Sequence, residues 1–159
     1  MKEQEFTVRE NDIYHSMEAE SSYIAQAGKN SGIPEALCMH STFTMNEAAM
    51  LGREISAAAD ECAAAITRYL APCTVTVEID PADSTRRQHT FRLMLPGNYP
   101  EGSLEALIRS ITATMLNRCM QQWYLMTRPD EANIYTARLQ TSQTALRALL
   151  SARSKPSVQ

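Results

Sequence analysis

The residues that could perform chemistry are spread along the chain and form no recognisable motif. The four cysteines stand singly at positions 38, 62, 73 and 119. None has the partner about two to four residues away that a zinc knuckle or a redox motif needs. The three histidines share no ligand spacing with one another or with the cysteines, and Cys38 and His40 form the one close pair. Reduced, buried thiols are therefore the favoured interpretation, and we expect no metal ion and no cofactor.

Two pairs of adjacent carboxylates, Asp60 with Glu61 and Asp130 with Glu131, are also weak candidates for catalysis. Neighbours on a helix point about 100° apart, so the members of a pair cannot share a proton or flank a sugar ring. The five glycines are scattered and form no phosphate-binding loop, and there is no nucleophile elbow. We expect that the protein is not an enzyme, although a nucleophile whose base lies elsewhere in the chain stays open as an alternative.

Helical periodicity dominates the sequence and predicts four helices, at about residues 8–27, 45–70, 103–126 and 129–152. The first follows a capping box at Thr7 and Glu10 and ends at Gly28, and the second follows a better capping box at Thr44 and Glu47. The third has the strongest apolar stripe and is the predicted central helix. The predicted buried positions of the last two helices are Leu104, Leu107, Ile108, Ile111, Met115, Cys119, Trp123, Met126, Ile134, Tyr135, Leu139, Leu146, Leu149 and Leu150.

Two short segments, 73–79 and 89–95, alternate between apolar and polar residues and predict an antiparallel β-hairpin. A polar loop over 80–88 connects them. The apolar face should pack on the helices, because an isolated hairpin is marginal in water, and the unpaired edges are open to another chain. The predicted fold is mainly α, a bundle of about four helices with one inserted hairpin whose apolar face holds Cys73, Val75, Val77, Ile79, Phe91, Leu93 and Leu95.

The length of 159 residues fits a single domain, 1–159. The helix within 1–28 has a thin apolar stripe and could lie at the periphery, 29–42 reads as a loop, and 153–159 as a loose tail. No secretory signal and no membrane-spanning run is present, which predicts a soluble, cytoplasmic protein. The formal charge of -3 argues against a surface devoted to nucleic acid.

Charge is nevertheless uneven along the chain. The first twenty residues hold six acidic residues against two basic ones, whereas every charged residue after Glu131 is basic. The two ends are thus opposite in sign, which favours head-to-tail contact between subunits. The most plausible phosphate contacts are Arg86 and Arg87 at the predicted hairpin tip, with the acid-free C-terminal segment. The simpler interpretation is that the tip and the tail are solvated, because a few basic residues bind nucleic acid only weakly.

The order of these segments resembles small helical virion proteins encoded by prophages of gut bacteria. The resemblance rests on the order of Asp12-Ile13-Tyr14, Phe43-Thr44 before a long alanine-rich helix, the strand 74–79, the Leu95-Pro96 break, 108–114 and 135–153. It covers about residues 11–155. The resemblance implies a head–tail connector or tail-completion protein, which uses a hairpin or arm to bridge the subunits of a ring.

The leading hypothesis is thus a non-enzymatic phage assembly protein. Its partners would be copies of itself and neighbouring virion proteins, with weak contact to DNA and none to a membrane. It would reside in the host cytoplasm during assembly and then in the virion. The alternative is a small helical regulatory or nucleic-acid-binding module. The expected contact residues are Val75, Val77, Phe91 and Leu93 of the hairpin, and the basic residues Arg86, Arg87, Arg147, Arg153 and Lys155.

Overall fold

A computed structural model of the chain describes residues 1–153. The protein is mainly helical and carries a small antiparallel sheet. The prediction of a mainly α fold is confirmed, but within the described residues the sheet has one strand more than the predicted hairpin. The elements in chain order are β1 (Lys2–Arg9), α1 (Glu10–Asn30), α2 (Glu35–Ser41), a 3₁₀ helix (Met45–Leu51), α3 (Gly52–Tyr69), β2 (Cys73–Asp80), β3 (Asp83–Leu95), α4 (Ser103–Thr127) and α5 (Pro129–Ser151).

The N-terminal segment corrects the sequence prediction, because it forms strand β1 before α1 begins. The sheet order is β1-β3-β2, so β3 is the central strand. Thr7 and Glu10 form no capping box. The Thr7 hydroxyl hydrogen-bonds that of Thr90 on β3 at 3.1 Å, and a carboxylate oxygen of Glu10 lies 3.1 Å from Nε2 of His89. Pairing with a strand that is distant in sequence therefore replaced the local helix signal.

The predicted polar loop over 80–88 is also wrong, because β3 already begins at Asp83. The turn occupies positions 81–82 and is stabilised by Asp80, whose Oδ1 accepts a hydrogen bond of 2.9 Å from the amide of Ala82. Asp83 in turn accepts one of 3.0 Å from the amide of Thr85. The register of the ladder shifts between Ile79 and Asp80. The hairpin is consequently longer and more tightly closed than its composition indicates.

The capping box at Thr44 and Glu47 is confirmed, with the amide of Thr44 donating to Glu47 at 2.8 Å. It opens the 3₁₀ helix, which leads directly into α3. The predicted loop 29–42 contains a further helix, α2, which the sequence analysis missed. Its single buried apolar residue, Cys38, gives too little periodicity to reveal so short a helix.

The core lies between the sheet and the helices, with α4 contributing its buried side. α1 also belongs to this core through Ile13, Tyr14 and Met17. Two residues predicted to be buried are half exposed: Met126 at 51% and Ile134 at 50%. At the end of α4 the buried side is formed by Trp123 and Tyr124, and position 126 lies about 200° around the helix from Tyr124.

The end of α1 differs from the prediction as well. Gly28 lies inside the helix, where a Cβ would come within 3.2 Å of Sγ of Cys38. The helix continues to Asn30, and the residue with a left-handed backbone is Gly32, with φ of +86°. Only Gly32 therefore needs the conformational freedom of glycine at this turn.

We expect Gly32→Ala to lower the free energy of unfolding by about 1 kcal/mol, because an alanine side chain is strained in the left-handed region. Gly97→Ala is the matched control, since Gly97 also has open space around its Cβ position but no positive φ. Urea unfolding followed by circular dichroism measures both. Equal midpoints for the two variants would contradict the assignment of strain to Gly32.

Candidate interaction surface

The most exposed apolar residues of the sheet lie on β2, whose outer side we call the β2 edge (Cys73–Ile79). On its inner side β2 pairs with β3, and within residues 1–153 no strand pairs with its outer side. Val75 is half-buried, Val77 is 45% exposed and Ile79 is 68% exposed. The hydroxyl of Thr67 accepts a hydrogen bond from the amide of Cys73 at 3.1 Å and donates to its carbonyl at 3.4 Å. The free backbone groups that this edge presents to another chain therefore begin after Cys73.

These side chains point toward the helices rather than away from them. Val75 is opposite Phe91 and Val77 is opposite His89 in the ladder, and both β3 residues are completely buried. Because residues opposite each other share a face of the sheet, Val77 and Ile79 lie on the core side. The rest of the chain therefore does not cover the end of β2 that holds Val77 and Ile79.

The two β3 residues named as contact candidates belong instead to the interior. Phe91 is fully buried and Leu93 is 2% exposed. The ring of Phe91 stacks on that of Phe6 with centroids 4.9 Å apart. As β3 has a strand on each side, these residues stabilise the sheet from within and offer nothing to another subunit.

Arg86 and Arg87 lie within β3, and their side chains contact other parts of the same chain. Arg86 donates to the carbonyl of Met45 at 3.2 Å, and its guanidinium lies 5.8 Å from the centre of the Tyr14 ring. Arg87 donates to the carbonyl of Gly52, also at 3.2 Å. Both side chains thus connect the hairpin to the helical layer.

A buried polar cluster, which the sequence analysis did not find, lies under the same part of the sheet. One carboxylate oxygen of Glu10 is 3.1 Å from Nε2 of His89 and 3.1 Å from Nη2 of Arg87. The side chains of His89 and Glu10 are 0% and 5% exposed. The alternating pattern of β3 could have indicated that His89 is buried, because residues 89 and 91 lie on the same face of a strand and Phe91 belongs to the predicted apolar face. The partner was not identifiable, because residue 10 was assigned to a capping box.

Three of the four thiols, Cys62, Cys73 and Cys119, are poor nucleophiles in this structure. Burial raises the pKa of Cys62 and of Cys119 to about 12, with smaller contributions from Glu61 and Glu54 respectively. Burial also raises the pKa of Cys73 to about 11. Cys38, Cys62 and Cys119 are buried and none of the four is in a disulfide. The prediction of buried, reduced thiols is confirmed for these three, whereas Cys73 is partly accessible on β2.

Several cavities open to the surface. One of about 230 Å³ lies between α3, α4 and α5, with Cys62 and Arg147 in its wall. Another, of about 340 Å³, lies at the end of the sheet near Lys2 and Tyr99. Within residues 1–153, no group of three or more His, Cys, Asp or Glu residues is arranged to hold a metal ion. Neither cavity gathers residues that would suggest a reaction.

The C-terminal basic candidates are separated from Arg86 and Arg87. Arg147 is exposed on α5. Arg153 donates to the carbonyls of Leu150 at 2.9 Å and Tyr69 at 3.3 Å, which fastens the end of α5 to the end of α3. Arg153 thus has defined contacts within the segment predicted to be loose. Lys155 and the rest of that segment lie outside the described residues.

Across residues 1–153, every helix is too short or too polar to span a lipid bilayer. No family model, curated protein or solved structure matches the chain.

Proposed function

We propose that the protein is a non-enzymatic assembly component that acts through protein–protein contacts, as a phage head–tail connector or tail-completion protein does. The observation that carries this proposal is the β2 edge, where Val77 and Ile79 are exposed on a strand whose outer side is unpaired within residues 1–153. Open strands are templates for pairing with another chain. The resemblance in the order of segments supports a role in a virion. The buried β3 residues beside the β2 edge, Phe91 and Leu93, stabilise the sheet and thereby support a role in protein contacts.

The position of the basic residues favours protein contacts over nucleic acid. Arg86 and Arg87, the predicted tip bases, are held by carbonyls, a tyrosine ring and Glu10. Contact with DNA would then be limited to exposed basic residues such as Arg147, which would give weak, salt-sensitive binding. The proposed partners are copies of the chain and neighbouring virion proteins, first in the host cytoplasm and then in a ring or neck of the particle.

Light scattering over a series of protein concentrations tests the proposal, in low and in high salt. We expect a mass above the 17.7 kDa of one chain that rises with concentration. The mass should change little with salt, because apolar strand pairing is not screened as surface charge is.

A chain that stays monomeric over the whole series would contradict this proposal. If that monomer also bound duplex DNA with an affinity that falls steeply as salt rises, a small nucleic-acid-binding module would be the better description. Fluorescence anisotropy with a labelled duplex distinguishes that alternative.

A further inference from the structure

We infer that a groove between α1 and α5 binds an extended, uncharged peptide segment of a partner protein, and that a backbone carbonyl of this segment accepts a hydrogen bond from Nη1 of Arg128. We call it the α1–α5 groove, and its walls include Tyr23, Ile24, Gly28, Arg128, Tyr135 and Arg138. It shares no lining residue with the β2 edge. The inference therefore goes beyond the proposed function and is tested separately from it.

The α1–α5 groove consists of two cavities. One, of about 270 Å³, lies between the C-terminal part of α1, the turn after it and the start of α5. The other, of about 390 Å³, lies further along both helices, and the two cavities adjoin because Tyr23 and Ile24 line both. From residue 128 to residue 138 an α-helix rises about 15 Å, which is the length of about four or five residues of extended chain.

Arg128 brings an unused hydrogen-bond donor to one end of the groove. The residue is 4% exposed. Its Nε donates to Asp130 at 3.4 Å and its Nη2 donates to Glu131 at 2.8 Å. Nη1 is also buried but has no hydrogen-bond partner among residues 1–153. Because buried donors are nearly always paired in native structures, the free Nη1 indicates that an acceptor from outside the chain belongs here.

Gly28 keeps a place open for that acceptor. The point where a Cβ would lie on Gly28 is 3.5 Å from Nη1 of Arg128, 3.3 Å from Cδ1 of Ile33 and 3.2 Å from Sγ of Cys38. An oxygen atom fits at this point, and a shift of about 0.5 Å by the guanidinium gives an ordinary N–H···O distance. Gly28, Ile33 and Arg128 line the same cavity. Because Nη1 is buried in the empty groove, Ile33 turns aside to admit the oxygen.

The charges around Arg128 select an uncharged acceptor. Its single positive charge already faces the carboxylates of Asp130 and Glu131. The C-terminal part of α1 forms another wall of the cavity, and this end of a helix dipole is negative. A carboxylate or a phosphate would add a third negative charge here, whereas a carbonyl oxygen adds none. The acceptor that fits is thus the carbonyl of an amide.

The rest of the groove favours an apolar peptide over a small molecule. Tyr23 stands between the two cavities and is 77% exposed, and exposed aromatic residues often anchor protein contacts. At the far end the charges are paired, since Glu20 lies 3.7 Å from Arg138 and accepts a hydrogen bond of 2.6 Å from Tyr135. The cavity at Arg128 is smaller than the usual small-molecule site of about 300–1,000 Å³. The groove gains its capacity by its length, which suits a chain.

Titration of the full chain with blocked amides, followed by NMR of the backbone amides, tests the inference. We expect N-acetyl-leucine N-methylamide to cause saturable shifts within residues 23–33 and 128–138, with a dissociation constant of about 1–10 mM. N-acetyl-leucine, which carries a carboxylate in place of the second amide, should bind at least about tenfold more weakly. The pentapeptide acetyl-Ala-Leu-Ala-Leu-Ala-amide is long enough to reach both cavities and should bind at least about tenfold more tightly than the single blocked residue.

Ala27→Phe and Gln26→Phe are a matched pair of variants. Both residues are exposed on α1, but only Ala27 lines the cavity at Arg128. Phenylalanine at position 27 fills the cavity and should raise the dissociation constant of the pentapeptide at least about tenfold, whereas phenylalanine at position 26 should leave it unchanged. Arg128→Lys keeps the charge and removes Nη1, which should weaken binding of N-acetyl-leucine N-methylamide about fivefold. Should Arg128→Lys fail to fold, the two phenylalanine variants still decide.

Four outcomes would overturn the inference. They are shifts that do not saturate, equal affinities of Ala27→Phe and the wild type, unchanged affinity in a folded Arg128→Lys variant, and a carboxylate that binds as tightly as the amide. If the pentapeptide bound no more tightly than the single blocked residue, the groove would take a small amide and the peptide segment would be wrong. Each of these results leaves the assembly role untouched, because light scattering on the unliganded chain tests that role by itself.

Discussion

Replacement of Glu10 by alanine is expected to lower the free energy of unfolding by about 2 kcal/mol, because it leaves a buried polar group without its hydrogen-bond partner. Glu10 is buried at the first position of α1, where one of its oxygens contacts both His89 and Arg87. Without it, His89 loses its carboxylate partner in the interior. Arg87 loses less, because its side chain is 45% exposed and can turn to water.

Glu5→Ala is the control for this prediction. Glu5 also joins β1 to β3 by an ion pair, to Arg92, but both side chains are about half exposed. Exposed pairs contribute little, so its urea midpoint should stay close to that of the wild type. Should Glu10→Ala fail to fold, Glu10→Gln keeps the shape and a hydrogen bond to His89 and should show a smaller loss. Equal midpoints for Glu10→Ala and Glu5→Ala would contradict the structural role of the cluster.

Elements with a strong local signal could be predicted from the sequence. The structure confirms α5 over Pro129–Ser151, the two hairpin strands and the cap at Thr44. In each case the periodicity, the cap residue or the alternation lies within one segment. Burial also followed the apolar stripe of α4, as for Trp123, whose assignment to the core is confirmed by its 2% exposure.

Elements that depend on distant partners could not be predicted in this way. Strand β1 needs β3, about eighty residues further along, and the Thr7 and Glu10 pattern gave a competing local signal. The pairing of Glu10 with His89 has the same origin. At the β2 edge the sequence indicated an apolar face, but only the packing reveals that Val77 and Ile79 are left uncovered.

The missed helix α2 is stabilised by contacts of the same long-range kind. The indole nitrogen of Trp123 donates to the carbonyl of Ser41, the last residue of α2, at 2.8 Å. Next along the chain, the amide of Phe43 donates to the hydroxyl of Ser21 on α1, also at 2.8 Å. Glycine, serine and proline in 29–42 indicate a loop locally, but side chains of α1 and α4 hold this segment in place.

Phe43→Ala is accordingly expected to lower the free energy of unfolding by about 3–5 kcal/mol, the cost of removing a buried aromatic ring and leaving a cavity. Phe43 is completely buried. Its ring stacks on Tyr14 with centroids 5.9 Å apart and meets Trp123 edge-on at 5.3 Å. The substitution should also shift the fluorescence of Trp123, the single tryptophan, because its packing partner is lost.

Tyr23→Ala is the matched control, since it removes an aromatic ring from the neighbouring helix α1 at a position that is 77% exposed. Its effect should stay within about 0.5 kcal/mol. Urea unfolding followed by Trp123 emission and by circular dichroism distinguishes the two. If Phe43→Ala unfolded at the same urea concentration as Tyr23→Ala with unchanged native emission, the aromatic contacts between α1, α4 and the segment after α2 would not stabilise the fold.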